Sequence, residues 1–190
     1  MGLPEIFISF QTAAVSAITR SARGVLAVAV KDATAGGAAE AAYKSLAEVP
    51  EDKFSPENYR LLKLAFLAAP TKVWVLRVGE EAEKTYQALE RLRFDWLAAP
   101  GLEDARVMSF IKTLRNGGRG VKAVVANATA PDCEGIVNLC VSGLTLEDGA
   151  MEAKDYAVRV AALLAALPLT RSATYVNLPE VVGCDALAAR

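Results

Sequence analysis

Residues 5–10 alternate in polarity. Ile6, Ile8 and Phe10 share one face of an extended strand and Glu5, Ser9 and Gln11 the other, with Phe7 the one bulky apolar exception on the second face. A strand this regular at a chain terminus predicts pairing with its own sheet or with another molecule's, because an untied terminus frays. A mixed stretch follows from Thr12 to Arg23, and Gly24–Val30 then reads as a continuous apolar strand of the kind buried on both faces of a parallel or mixed sheet. Loops are expected at 32–37 and 50–55, with a short helix over Ala38–Leu46 between them. Ser55-Pro56-Glu57 predicts a helix start, with Ser as N-cap, Pro in the first position and an acid in the first turn; Leu61, Leu62, Leu64, Ala65 and Leu67 follow before Pro70 stops it.

The remainder alternates in the same way. Strands are expected at Lys72–Val78, Phe94–Ala98, Val121–Ala126, Gly135–Leu139 and Thr174–Leu178. Helices are expected at Glu80–Arg91, whose acids lead and bases trail in keeping with the helix dipole, at Glu103–Leu114 ahead of Asn116-Gly117-Gly118, and at Asp155–Leu167 ahead of Pro168. Strands alternating with helices predict an α/β layered domain, a mixed sheet flanked by helices, with an extended N-terminal strand arm. The expected division is an arm and hinge over 1–23, the α/β domain over 24–185 and a nondescript tail over 186–190.

Charge and composition narrow the partners. The 21 basic and 22 acidic residues leave a net charge of −1, so no overall positive field attracts nucleic acid or anionic lipid. Lys112, Arg115, Arg119 and Lys122 lie close together, which a solvated helix end explains. The longest apolar stretch, Val160–Leu169, follows Arg159, carries Pro168 and is too short to span a bilayer. The N-terminus lacks the basic and apolar regions of a signal peptide. The expectation is therefore a soluble protein assembled in the cytoplasm, with no nucleic acid and no membrane insertion.

Candidate chemistry is sparse. There is no histidine, which removes the commonest general base, the commonest metal ligand and every Ser-His or Cys-His mechanism. Cys133, Cys140 and Cys184 are odd in number and lack zinc-ligand spacing, so free thiols are expected. Gly117-Gly118-Arg119-Gly120 follows a helix rather than preceding one, the wrong order for a phosphate cradle. Ser172 sits in no nucleophile elbow. The acids fall at helix starts and turns, and none forms an evident catalytic or metal-binding pair. Only the turn Ala98-Ala99-Pro100-Gly101-Leu102 occupies a place where open α/β sheets bind ligands, and it carries neither G-x-G-x-x-G nor a Walker lysine. No catalytic residue, cofactor or metal is expected.

Four segments in order resemble the tail sheath proteins of contractile-tailed bacteriophages, in particular those of defective prophages of Gram-positive bacteria. They are Gly2–Phe10 with Ser16–Val25, Phe94–Gly101, Lys122–Ala128 running on to Asp132–Asn138, and Arg159–Tyr175. Sheath proteins are usually longer, and the resemblance is to their N-terminal part. It implies a structural subunit that polymerises as hexameric stacked rings around an inner tail tube protein above a baseplate, in a virion tail or tail-like particle. Contraction then drives the tube through the target envelope. It further implies that Glu5, Ile6, Phe7, Ile8, Ser9 and Phe10 form an inter-subunit strand, with Ser16, Arg20 and Arg23 in the hinge behind it. Two readings stay open at this point: the sheath subunit, and a small-molecule-binding α/β domain or enzyme using the Pro100-Gly101 crevice.

Overall fold

The computed structural model describes residues 24–127, 131–168 and 170–186. The first strand, β1 (Val25–Val30), is buried at every position, as its unbroken apolar run requires. Its start is pinned by Asp95, whose Oδ2 accepts hydrogen bonds from the backbone N–H groups of Gly24 (2.7 Å) and Val25 (3.0 Å). Gly24 is left-handed at φ +99°, and a Cβ there would lie 2.9 Å from the Ala165 carbonyl oxygen, so both conformation and space call for glycine.

Beyond β1 come β2 (Glu40–Tyr43), two short 3-10 turns, α1 (Pro56–Phe66), β3 (Lys72–Arg77), α2 (Ala82–Arg91), β4 (Trp96–Ala98), α3 (Asp104–Asn116), β5 (Lys122–Val125) and β6 (Ile136–Asn138). Six strands form one sheet in the order β2-β3-β1-β4-β5-β6, parallel except for β2, which runs antiparallel to β3. Its two faces bury different helices. Ala27, Ala29, Leu97 and Ala123 meet Leu89 of α2 and Val107 and Ile111 of α3. Leu26, Val28, Val73 and Val124 meet Leu61 and Leu62 of α1 and Val158, Ala161 and Ala162 of a fourth helix, α4 (Ala153–Ala166). The fold is thus three layers, helices on both faces of a mixed sheet, as the sequence predicts.

A second sheet stands beside this core. Strand β7 (Val141–Leu146) pairs antiparallel with β8 (Gly149–Ala150) and with β9 (Val181–Ala186), the latter through register shifts around Thr145. Its buried face is a small satellite cluster of Leu64, Leu144, Leu146 and Tyr156.

Two local expectations are corrected, and one hairpin is added. Residues 38–46 do not form a helix: β2 occupies Glu40–Tyr43, with Ala41 opposite Val75 and Tyr43 edge-on to Phe54 at 6.4 Å between ring centres. The helix preference of the Ala and Glu residues there yields to a vacant edge of β3, where pairing satisfies a row of backbone groups at once. Thr174–Leu178 is not a strand either. Tyr175 sits at φ +60°, fully exposed in a turn, and the strand lies further on, at β9, in residues the sequence reading split between domain and tail. The β7–β8 hairpin was not expected, although Asp148-Gly149 is a hairpin turn signal, with Gly149 at φ +120°.

Candidate functional site

The chain enters the sheet at its middle, adds β3 and β2 on one side of β1, and then reverses to add β4, β5 and β6 on the other. The carboxyl ends of β1 and β4 therefore form the switch point at which open α/β sheets hold ligands. The Pro100-Gly101 turn falls there, and the chain itself fills the place. The Gly101 N–H donates to the Ala29 carbonyl at 2.9 Å. A Cβ on Gly101 would lie 2.7 Å from the Lys31 nitrogen and 2.9 Å from the Val30 carbonyl carbon, so turn and strand end are in backbone contact. From α4, Lys154 Nζ donates to the Leu102 carbonyl at 2.6 Å and lies 3.8 Å from Asp104 Oδ1. The space left among Ala99, Pro100, Asp104, Val124 and Lys154 admits no water molecule. The small-molecule reading thus loses the Pro100 side of the turn, while the Gly101 side borders an open groove.

The polar groups buried nearby serve as anchors. Asp32, whose side chain has no exposed surface, accepts from Thr34 N (2.8 Å) at Oδ1 and from Ser55 N (3.0 Å) and Asn58 Nδ2 (2.8 Å) at Oδ2. Burial opposes its ionisation, but the hydrogen bonds from Thr34, Ser55 and Asn58 outweigh it and hold the carboxyl well below the usual range. Arg77 stands 3.6 Å away, donates to the carbonyls of Thr34 (2.8 Å) and Lys53, and stacks 4.7 Å over Phe54. A carboxylate so fully engaged cannot serve as a base. It ties the loop after β1 to the start of α1, where Ser55 Oγ accepts from Asn58 N as the N-cap.

A second polar group joins the small sheet to the core. Arg159 of α4, 5% exposed, donates from Nε to Glu180 Oε1 at 2.6 Å, and the Tyr156 hydroxyl donates to the same oxygen at 2.9 Å. Burial and then the neighbouring Glu180 raise the Tyr156 phenol above its ordinary range. Burial works against ionisation of Glu180, yet the Arg159 hydrogen bond prevails and lowers it. Further out, Arg60 of α1 grips the β7–β8 turn with a bidentate pair to Asp148 and a bond to the Ala150 carbonyl. None of these residues stood out in the sequence, because the partners are 21 or more positions apart.

Residues 5–10 and the hinge residues Ser16, Arg20 and Arg23 lie outside the described residues. Among the described residues, four strands end a sheet: β2 and β6 in the large one, β8 and β9 in the small one. Two of the four exposed large apolar residues lie on these edges, Val137 on β6 (38% exposed) and Val182 on β9 (68%). The basic cluster is largely absorbed into structure. Arg119 donates to the carbonyls of Glu90 (2.8 Å) and Leu92 (2.6 Å), capping α2, and Arg115 donates to Val121 and pairs with Glu134. The three cysteines are free thiols; Cys133 and Cys140 are half-buried and Cys184 is exposed.

No protein-family profile matches the chain. In sequence it is 32% identical over 197 aligned residues to the tail sheath protein of Clostridium phage phiCD119, covering 95% of this chain and 53% of that protein. In fold it is similar to the sheath tail protein of Listeria innocua, with a TM-score of 0.71 at 16% identity over 85% of this chain and 60% of the other. It is equally similar to that of Desulfitobacterium hafniense, with a TM-score of 0.72 at 14% identity over 95% of this chain and 66% of the other. Across nearly its whole length the chain resembles tail sheath proteins in both sequence and fold, and it spans about half the length of the phage relative.

Proposed function

We propose that this chain is a structural subunit of a contractile tail sheath, not an enzyme, and that it polymerises around an inner tube and contracts to drive the tube through a target envelope. The single observation that carries this is the 32% identity to a phage tail sheath protein over 95% of the chain. The Pro100 side of the switch-point turn is closed, which weakens the competing ligand reading there.

The assembly device we propose is strand addition. Residues Glu5–Phe10 extend a sheet edge of a neighbouring subunit through backbone hydrogen bonds, while Ile6, Ile8 and Phe10 bury their side chains against it. Each such side chain contributes roughly 1.5–3 kcal/mol before the costs of association are subtracted. One arm therefore binds modestly, and a closed hexameric ring of arms gains avidity. Residues 12–23, with Ser16, Arg20 and Arg23, act as the hinge that lets subunits shift without unlinking. The partners are further copies of the chain in stacked rings, an inner tube protein and a baseplate, in a virion tail or tail-like particle assembled in the bacterial cytoplasm.

Negative-stain electron microscopy of the full chain beside a version lacking Met1–Phe10 tests this. Rings or tubes from the full chain alone are expected. Identical assemblies from both versions would overturn the strand-addition device, and dispersed single subunits from both would show that this length does not polymerise by itself.

A further inference from the structure

On the other side of the Gly101 turn, the carboxyl ends of β1 and β3 and the starts of α2 and α3 border an open groove of about 740 Å³. Tyr86 lines it. That residue is 6% exposed, and its hydroxyl is buried with no hydrogen-bond partner. A buried hydroxyl left unpaired is costly, so a polar visitor to the groove would gain by meeting it. Glu80 and Glu103 also line the groove, are exposed, and form no ion pair among the described residues. Their acidic neighbours are already engaged: Glu81 with Lys84 (3.1 Å), Glu83 with Arg106 (2.8 Å) and Asp104 with Lys154 (3.8 Å). Of the lining cations, Arg106 pairs with Glu83 and lies 5.3 Å over the Tyr86 ring, and Lys31 forms no ion pair among the described residues, against two such carboxylates. The groove therefore offers two free carboxylates beside a buried hydroxyl oxygen that can accept, a set suited to a guanidinium or ammonium donor.

The opposite end of the same domain has the complementary character. Helices α2 and α3 run back along the sheet, with Glu83 and Asp104 in their first turns and Arg91 and Arg115 in their last. Arg91, the last residue of α2, Arg93 just past it, and Lys122, at the start of β5, are exposed and form no ion pair among the described residues. The two ends are separated by the length of the central strands, about 20 Å at roughly 3.3 Å per residue.

We infer that the Tyr86 groove receives an arginine or lysine side chain from the basic end of a second copy of this chain, so that copies meet head to tail. The contact joins two different surfaces, and contacts of that kind generate rings when the rotation closes and filaments when it does not. The inference rests on the sheath-subunit reading for the identity of the partner, but it makes no use of residues 1–10.

The test is sedimentation equilibrium of the full chain at low salt and at about 0.5 M salt, where charges more than a few ångströms apart are screened. It is run beside the pairs Glu80→Lys with Glu103→Lys and Arg91→Glu with Arg93→Glu, and beside the milder Glu80→Gln with Glu103→Gln. All these residues are exposed, and circular dichroism verifies the folded state. Self-association at low salt is expected, weakened about tenfold or more by salt or by either charge reversal. Mixing the two charge-reversed proteins should restore it, and Tyr86→Phe should weaken it severalfold without lowering the melting temperature. A chain that stays monomeric at low salt overturns the inference, as do reversed variants that associate as tightly as wild type or fail to pair on mixing. Repeating the measurement without Met1–Phe10 separates the two proposals. Charge-sensitive pairing that survives the deletion leaves this contact standing whatever becomes of the strand arm, and tubes indifferent to the charge reversals sink this contact alone.

Discussion

The six-stranded sheet and the three-stranded sheet are held in place by different physics. In the large sheet, β1 has a parallel neighbour on each side and no exposed residue, and the helices close both faces with aliphatic side chains. The small sheet rests on four buried residues and is attached through polar contacts, Arg159–Glu180–Tyr156 on the inside and Arg60–Asp148 on the outside. Apolar burial is non-directional and tolerates small displacements, whereas a buried ion pair holds one geometry and fails when either partner is lost. The comparison teaches that the core is stable as a packed layer, while β9, beyond its ladder with β7, is tied to that core through a carboxylate just before it.

Removing that carboxylate is the most direct way to break the small sheet alone. Glu180→Ala leaves Arg159 buried and uncompensated and is expected to cost roughly 3–5 kcal/mol. Amide hydrogen exchange should locate the loss in Val181–Ala186 and leave the protection of Val25–Val30 in place; equal loss in both would show one cooperative unit instead.

The matching perturbation of the large sheet is Gly101→Val. Its side chain must displace backbone at the end of β1, and a loss of about 1–3 kcal/mol is expected by denaturant titration, with exchange accelerated across β1 and β4. Ser55→Ala removes the cap of α1 and should cost about 1 kcal/mol, a loss confined to the helical layer.

The smallest effect sharpens the assignment of the first. Glu180 is held below its ordinary value of 4.5, so its contribution is present above that pH and is lost as the pH falls through the depressed folded value. The stability gap between wild type and Glu180→Gln, followed by thermal denaturation, should therefore close on acidification. A gap independent of pH would mean that Glu180 acts through packing and not through its charge.

Much of the core was legible from pattern. The unbroken apolar run of β1 announced a strand buried on both faces, and Ser55-Pro56-Glu57 announced the first turn of α1, because burial on both faces and capping each leave a signature within a few residues. The resemblance to tail sheath proteins was likewise legible in four ordered segments, and the comparisons bear it out. The site was less legible. The Pro100-Gly101 turn was placed correctly at a switch point, but nothing near it in the chain reveals that Lys154 and the end of β1 fill it.

What the sequence determined by itself was the alternation of strands and helices, the helix starts, and the lack of a histidine-based catalytic apparatus. These depend on residue identity and on periodicities of two or 3.6, which any short window contains. Tertiary structure alone decided that residues 40–43 pair as a strand against β3, that β9 begins after Glu180, and that Glu80 and Glu103, ahead of α2 and α3, border one groove at the end of the sheet. Each of these is settled by a partner far away in sequence, and a partner's energy cannot be read from a window that does not contain it.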